Sequence, residues 1–225
     1  MEPSLKEILT ALQQASAAMP EDRAVRMRCP VCISVRASVI RGIKSHFVEF
    51  INDPESRVKL RAAGGYCPQH AELLPSTGDA LGAAILYADL TDQAIEKLQN
   101  TPLRSGLLRR VASQKKLQQC PACLQQSEAE ARYALALAAG LNNREVWQEL
   151  EAGAGLCTTH LELTLQAAPA ETAAKLKQLE LQKLQALKVE LEEAVRKHDY
   201  RFKHEAWGPE KDAWLRAPGK ITRPK

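Results

Sequence analysis

The sequence predicts an all-α protein: a tandem duplication of a helical unit, each copy stapled by a Cys3His metal site. Three observations carry that expectation. Hydrophobic residues make up 45% of the chain but aromatics only 4%, with abundant Ala, Leu, Gln and Glu, a composition that favours helices. No run of alternating β-branched residues marks a strand. Finally, one Cys/His pattern occurs twice. Cys29-Pro30-Val31-Cys32 is answered by Cys67-Pro68-Gln69-His70, and Cys120-Pro121-Ala122-Cys123 by Cys157-Thr158-Thr159-His160.

As spacings these are C-x2-C-x34-C-x2-H and C-x2-C-x33-C-x2-H, which together use all 6 cysteines and leave three of the 5 histidines outside the pattern. Three thiolates and one imidazole suit tetrahedral zinc without an open position. The spacing assigns Cys29, Cys32, Cys67 and His70 to one Zn2+ and Cys120, Cys123, Cys157 and His160 to a second. Iron accepts the same ligands. Disulfides would leave the two histidines unexplained. Ile33 and Leu124 follow the CxxC pairs where covalent haem attachment needs histidine. The alternative chemistry for Cys29/Cys32 or Cys120/Cys123 is thiol–disulfide exchange, since Cys-Pro-x-Cys resembles a redox dithiol.

The elements follow in chain order. Ser4 and Glu7 form a capping box, and Leu5, Ile8, Leu9 and Leu12 share a face, so a helix is expected over residues 4–19, closed by Pro20. In three of the four half-motifs proline follows cysteine, as at a first helical position. Each half-motif therefore reads as a helix start, where orphan N–H groups and the helix dipole favour thiolate. Val35, Val39, Ile43, Phe47 and Ile51 extend one helix from about Pro30 to Ile51. Asp53-Pro54 caps a short helix reaching Ala62 or Ala63. Gly64-Gly65 and Gly153 with Gly155 supply left-handed turns before the third ligand of each set. Asp79 caps a longer helix through Leu81, Ile85, Ala88, Ile95 and Leu98.

The second half repeats this order, with a helix over 121–141, a short helix through Val146, Trp147 and Leu150, and a long one over 170–198. Leu176, Leu179, Leu184, Leu187, Leu191 and Val195 form one stripe on that last helix, expected to face the interior of the bundle rather than a coiled-coil partner. The offset between halves is 91 residues at Cys29/Cys120 and 90 at Cys67/Cys157. The expected organisation is an N-terminal helix and lead-in (1–28), a first metal-binding repeat (29–100), a basic linker helix (101–119), a second repeat (120–198) and an aromatic strap and tail (199–225).

Net charge is only +4, but it is unevenly placed. Arg23, Arg26, Arg28, Arg36, Arg41 and Lys44 form one acid-free stretch, and Lys97, Arg104, Arg109, Arg110, Lys115 and Lys116 another. The second makes Arg104, Arg109, Arg110, Lys115 and Lys116 candidate phosphate-binding residues and nucleic acid an alternative partner. Neither stretch has the interleaved aromatics of a stacking platform, and neighbouring cations also balance an anionic Cys3His zinc centre. The first residues lack a signal-peptide core and no apolar run is long enough to span a bilayer, so a cytoplasmic, non-membrane protein is expected.

Residues 199–216 hold four aromatics, Tyr200, Phe202, Trp207 and Trp214. They read as an ordered strap with buried rings. The functional reading is a protein-partner or ligand surface made of Tyr200, Arg201, His204, Glu205, Trp207, Asp212 and Trp214. A third metal site from His198, Asp199, His204 and Glu205 is a lesser alternative, and His46 reads as an ordinary helix residue.

The paired cassettes, followed by Asp199-Tyr200-Arg201, Glu205-Ala206-Trp207-Gly208 and Lys211-Asp212-Ala213, resemble an uncharacterised bacterial family known only as a domain of unknown function. The likeness spans roughly residues 29–217. It implies two metal-type cassettes and a terminal strap in a bacterial cytoplasmic protein, and brings no reaction or substrate. Thr158-Thr159 departs from the proline that follows the other three leading cysteines. No Walker loop, G-x-G-x-x-G, G-x-S-x-G or metal-binding H-E-x-x-H occurs. The expected role is therefore a non-enzymatic binding or regulatory protein with two structural zinc sites.

Overall fold

The computed structural model describes residues 2–16, 29–50, 53–101 and 119–221. Among them every regular element is helical: α1 (Pro3–Ser16), α2 (Pro30–Ser45), α3 (Pro54–Ala63), the single turn α4 (Pro68–Ala71), α5 (Ala80–Gln99), α6 (Pro121–Gly140), α7 (Arg144–Ala152), α8 (Thr158–Ala167), α9 (Ala170–Lys197) and α10 (Ala213–Ile221). No described helix is long and apolar enough to cross a membrane.

The chain divides into two compact units. One is continuous, Ala37–Glu128; the other combines Met1–Arg36 with Ala129–Lys225. In the discontinuous unit, α1 packs on α7 and α9 receives α8, α10 and the 3-10 turn Pro209–Asp212. Ile8, Leu12, Val146, Leu150, Leu137, Leu156 and Leu176 are buried there. Leu176, Leu179 and Leu187 line the inner face of α9, as the stripe predicts, but Val195 is 76% exposed and Ala194 is buried in its place. A 3.6-residue period carries the apolar face to 194 by this point, one position short of the valine.

In the continuous unit Asp53 caps α3 by accepting the Ser56 N–H at 2.8 Å, and Asp79 caps α5 by accepting the Gly82 N–H at 2.8 Å. Gly82 lies against Phe47, where an added Cβ would come within 2.6 Å of the phenylalanine Cβ. Phe47 in turn meets Tyr66 edge-on at 6.3 Å.

Some boundaries differ from expectation. α1 is described to Ser16; Pro20 lies outside the described residues. The helix expected over 30–51 is α-helical only to Ser45 and then widens into a π turn, His46–Phe50. The wider turn keeps Phe47 in the core while Val48 and Phe50 face solvent. His46 thus stands at a helix irregularity with Nε2 buried and unpaired, and burial lowers its pKa despite nearby Asp53. Gly64, Gly65 and Gly155 adopt positive φ as expected, but Gly153 is extended at φ −80° and ψ −172°.

Candidate metal centres

All four half-motifs begin a helix with cysteine at the cap. The carbonyls of Cys29, Cys67, Cys120 and Cys157 each accept a first-turn N–H, from Ile33, His70, Cys123 and Leu161 respectively. Cys157 does so without a following proline, since threonine is tolerated there. The caps of α4 and α8 make no side-chain hydrogen bond to the backbone. Their sulfurs face the other donors instead.

The donors converge in two quartets, but not as the spacing predicts. Cys29 and Cys32 meet Cys157 and His160, while Cys67 and His70 meet Cys120 and Cys123, the donor atoms of each set lying within 4.8 Å of one another. Each quartet lies within one unit. The chain changes unit within α2, after Arg36, and again within α6, after Glu128, so Cys29 and Cys32 share a unit with Cys157 and His160, and Cys67 and His70 with Cys120 and Cys123. Each CxxC is completed by the C-x2-H of the other cassette.

The distances suit a tetrahedral ion. With Zn–S near 2.3 Å and Zn–N near 2.0 Å, a tetrahedron has S···S edges of about 3.8 Å and S···N edges of about 3.5 Å. Cys32–Cys157 and Cys67–Cys123 Sγ atoms are both 3.7 Å apart. His160 Nδ1 lies 3.6, 3.3 and 3.2 Å from the sulfurs of Cys29, Cys32 and Cys157. His70 Nδ1 lies 3.2, 3.8 and 3.4 Å from those of Cys67, Cys120 and Cys123.

The electrostatics point the same way. Hydrogen bonds from Cys29 and Cys32 hold the Cys157 thiol far below its ordinary range, while Cys32, bonded to Cys157 and Cys29 and buried, is pushed far above. Burial, followed by the contact with Cys67, lifts Cys123 to about 12. Burial pulls His160 down, but its contacts with Cys157 and Cys29 outweigh that and raise it to about 10. Sulfurs this crowded cannot all be charged without a cation among them, and loading a divalent ion displaces their protons.

The two imidazoles are supported differently. His70 Nε2 donates to Gln126 Oε1 at 2.9 Å, which fixes the tautomer that leaves Nδ1 for the ion. His160 Nε2 is buried without a partner. Gln126→Ala should therefore weaken metal binding at the second quartet about 10- to 100-fold and leave the first unchanged, read by competition with a chromogenic chelator.

Residues that the sequence reasoning missed shape the approach to Cys157. Glu180 accepts the Leu156 N–H at 2.6 Å and pairs with Lys220, and Lys220 also donates to Ala154 O at 2.9 Å. Lys183 donates to the carbonyls of Glu151 and Gly153 at 2.7 and 2.6 Å. Gly155, at φ 75°, is required here, since a Cβ would lie 2.4 Å from Glu180 Oε1. A cavity of about 170 Å³ opens beside Cys29 and Cys157, bounded by Lys183, Glu190, Arg216 and Lys220. Glu180 left one signal in the sequence: a carboxylate four residues after Leu176, on the apolar stripe.

The strap corrects another expectation. Its rings are not buried: Tyr200 is 80% exposed, Trp214 61% and Trp207 42%. Ala213 and Glu210 are buried instead. Glu210 accepts from Lys197 Nζ at 2.6 Å and the Gly208 N–H at 2.7 Å, which hold its carboxyl down at about 2. Of the other proposed surface residues, Arg201 pairs with Asp199, Glu205 with Arg196 and Asp212 with Arg216, while His204 is exposed. His198 Nδ1 instead meets Ala194 O at 2.7 Å. Among the described residues only the two quartets gather donors closely enough for an ion, so the third site from His198, Asp199, His204 and Glu205 is not formed. Arg104, Arg109, Arg110, Lys115 and Lys116 lie outside the described residues, as do Arg23, Arg26 and Arg28.

Comparison with known proteins gives kinship without a role. An uncharacterised 23.9 kDa protein from the xynA 3′ region of Caldicellulosiruptor sp. (strain Rt8B.4) is 40% identical over 63 residues, covering 28% of this chain and 30% of that protein. The match thus spans under a third of that relative's length. No solved structure matches. The family of unknown function DUF6062 matches residues 16–225, a span that contains both quartets and the strap, and the chain belongs to that family.

Proposed function

We propose that this is a non-enzymatic zinc protein in which two structural Cys3His centres fix two helical units and the 199–221 segment meets a protein partner. The observation that carries the reading is the closure of both shells: four protein donors at tetrahedral spacing, twice, leave an ion no open position for a substrate. The same observation disfavours a redox dithiol, since each CxxC pair already has a third sulfur and an imidazole against it. Exposed Tyr200, Trp207 and Trp214 support the partner surface, as amphipathic rings are enriched at interfaces.

Elemental analysis of protein purified without a metal-affinity tag should find close to two zinc per chain, and chelation should abolish the cooperative thermal transition. Iron in place of zinc would correct the metal. Metal-free protein with an unchanged melting curve would overturn the reading.

A further inference from the structure

The chain around Cys157 is tied to the C-terminal segment at alternate residues. Ala154 O accepts from Lys220 Nζ at 2.9 Å. The Leu156 N–H goes to Glu180, which is itself paired with Lys220. Thr158 Oγ1 donates to Ile221 O at 3.2 Å. Lys220 and Ile221 close α10, and Ala213, fully buried, opens it. Thus residues 154 and 158, which straddle a sulfur of the first quartet, hold the end of α10 directly, and 156 does so through Glu180, while α9 and the Pro209–Asp212 turn carry the rest of the helix.

Fixing Cys157 and His160 on an ion also fixes that seat. Without the ion, the turn at 153–157 keeps only its side-chain clamps, and the Ala154 carbonyl facing Lys220 and the Thr158 hydroxyl facing Ile221 lose their register. We infer that metal occupancy of the Cys29, Cys32, Cys157 and His160 quartet controls docking of α10, and thereby whether the surface carrying Trp214 is assembled. The second quartet shares none of these contacts. The inference rests on the metal reading above and adds regulation to it: a partner that needs a docked α10 is recognised only by the loaded protein. Coupling is reciprocal, so docking must also tighten metal binding at this quartet alone.

Hydrogen exchange on the full chain reads the forward direction. Cys32→Ser removes a ligand remote from the α10 seat and should speed exchange across 213–221 at least about tenfold more than across α1 of the same unit; Cys123→Ser should leave 213–221 protected. Equal protection of 213–221 in Cys32→Ser and wild type, or equal loss in both variants, overturns the coupling. The reverse direction does not depend on Cys32→Ser folding. Ala213→Asp undocks α10 by placing a charge in a sealed contact, and should speed chelator release of one zinc of the two at least about tenfold. Unchanged release also overturns the inference. Absence of zinc from the wild-type protein would instead defeat the metal reading itself.

Discussion

Cys32→Ser combined with Cys157→Ser is expected to remove one equivalent of metal, no more than either substitution alone, whereas Cys32→Ser with Cys67→Ser should remove both. The two outcomes follow from the exchanged pairing. Cys32 and Cys157 share an ion, so the second substitution falls on a site already lost; Cys32 and Cys67 belong to different ions. Pairing within each cassette requires the reverse, with the Cys32/Cys67 double variant keeping one zinc. Counting metal per chain by elemental analysis decides between them. The effect is large because structural zinc contributes apparent free energies of ~10–16 kcal/mol to the folds it closes, and each quartet closes one unit. Cys123→Ser should accordingly destabilise chiefly the Ala37–Glu128 unit, and Cys32→Ser the other, where α10 is released before the rest.

The eight donors were legible in the sequence, and so was their local setting: Cys-Pro helix starts, the Asp53 and Asp79 caps and the positive-φ glycines all depend on neighbours a few residues away. The pairing was not, because Cys29-Pro30-Val31-Cys32 and Cys120-Pro121-Ala122-Cys123 are chemically equivalent and either C-x2-H completes either pair. The partition of the chain decides it, since α2 and α6 each begin in one unit and end in the other, and that depends on long-range packing rather than on neighbours. The strap failed for a different reason. Aromatic residues usually bury their area, but here Ala213 and the Lys197–Glu210 pair take the buried positions, Phe202 is half-buried under Arg196, and Tyr200 and Trp214 stay exposed. Nothing in the residues alone said that Lys220, seven positions from Ala213 on the same helix face, would reach a carboxylate on α9.

That buried pair yields the second large effect. The Glu180 side chain is 1% exposed and that of Lys220 10%, so Lys220→Met should leave an uncompensated carboxylate in the interior and cost about 3–5 kcal/mol. Glu180→Gln keeps an oxygen for the Leu156 N–H and takes away the charge, and should cost less. Combining the two should recover part of the loss, because the remaining methionine then faces a neutral amide instead of a carboxylate. Tryptophan fluorescence during denaturant unfolding isolates the effect, since all 3 tryptophans, Trp147, Trp207 and Trp214, belong to the discontinuous unit. The titrations must be run at a fixed excess of zinc, because bound metal adds to apparent stability by mass action. A Lys220→Met transition that coincides with wild type would mean that Glu180 reaches solvent or another cation when Lys220 is gone, and that the pair does not hold the turn before Cys157.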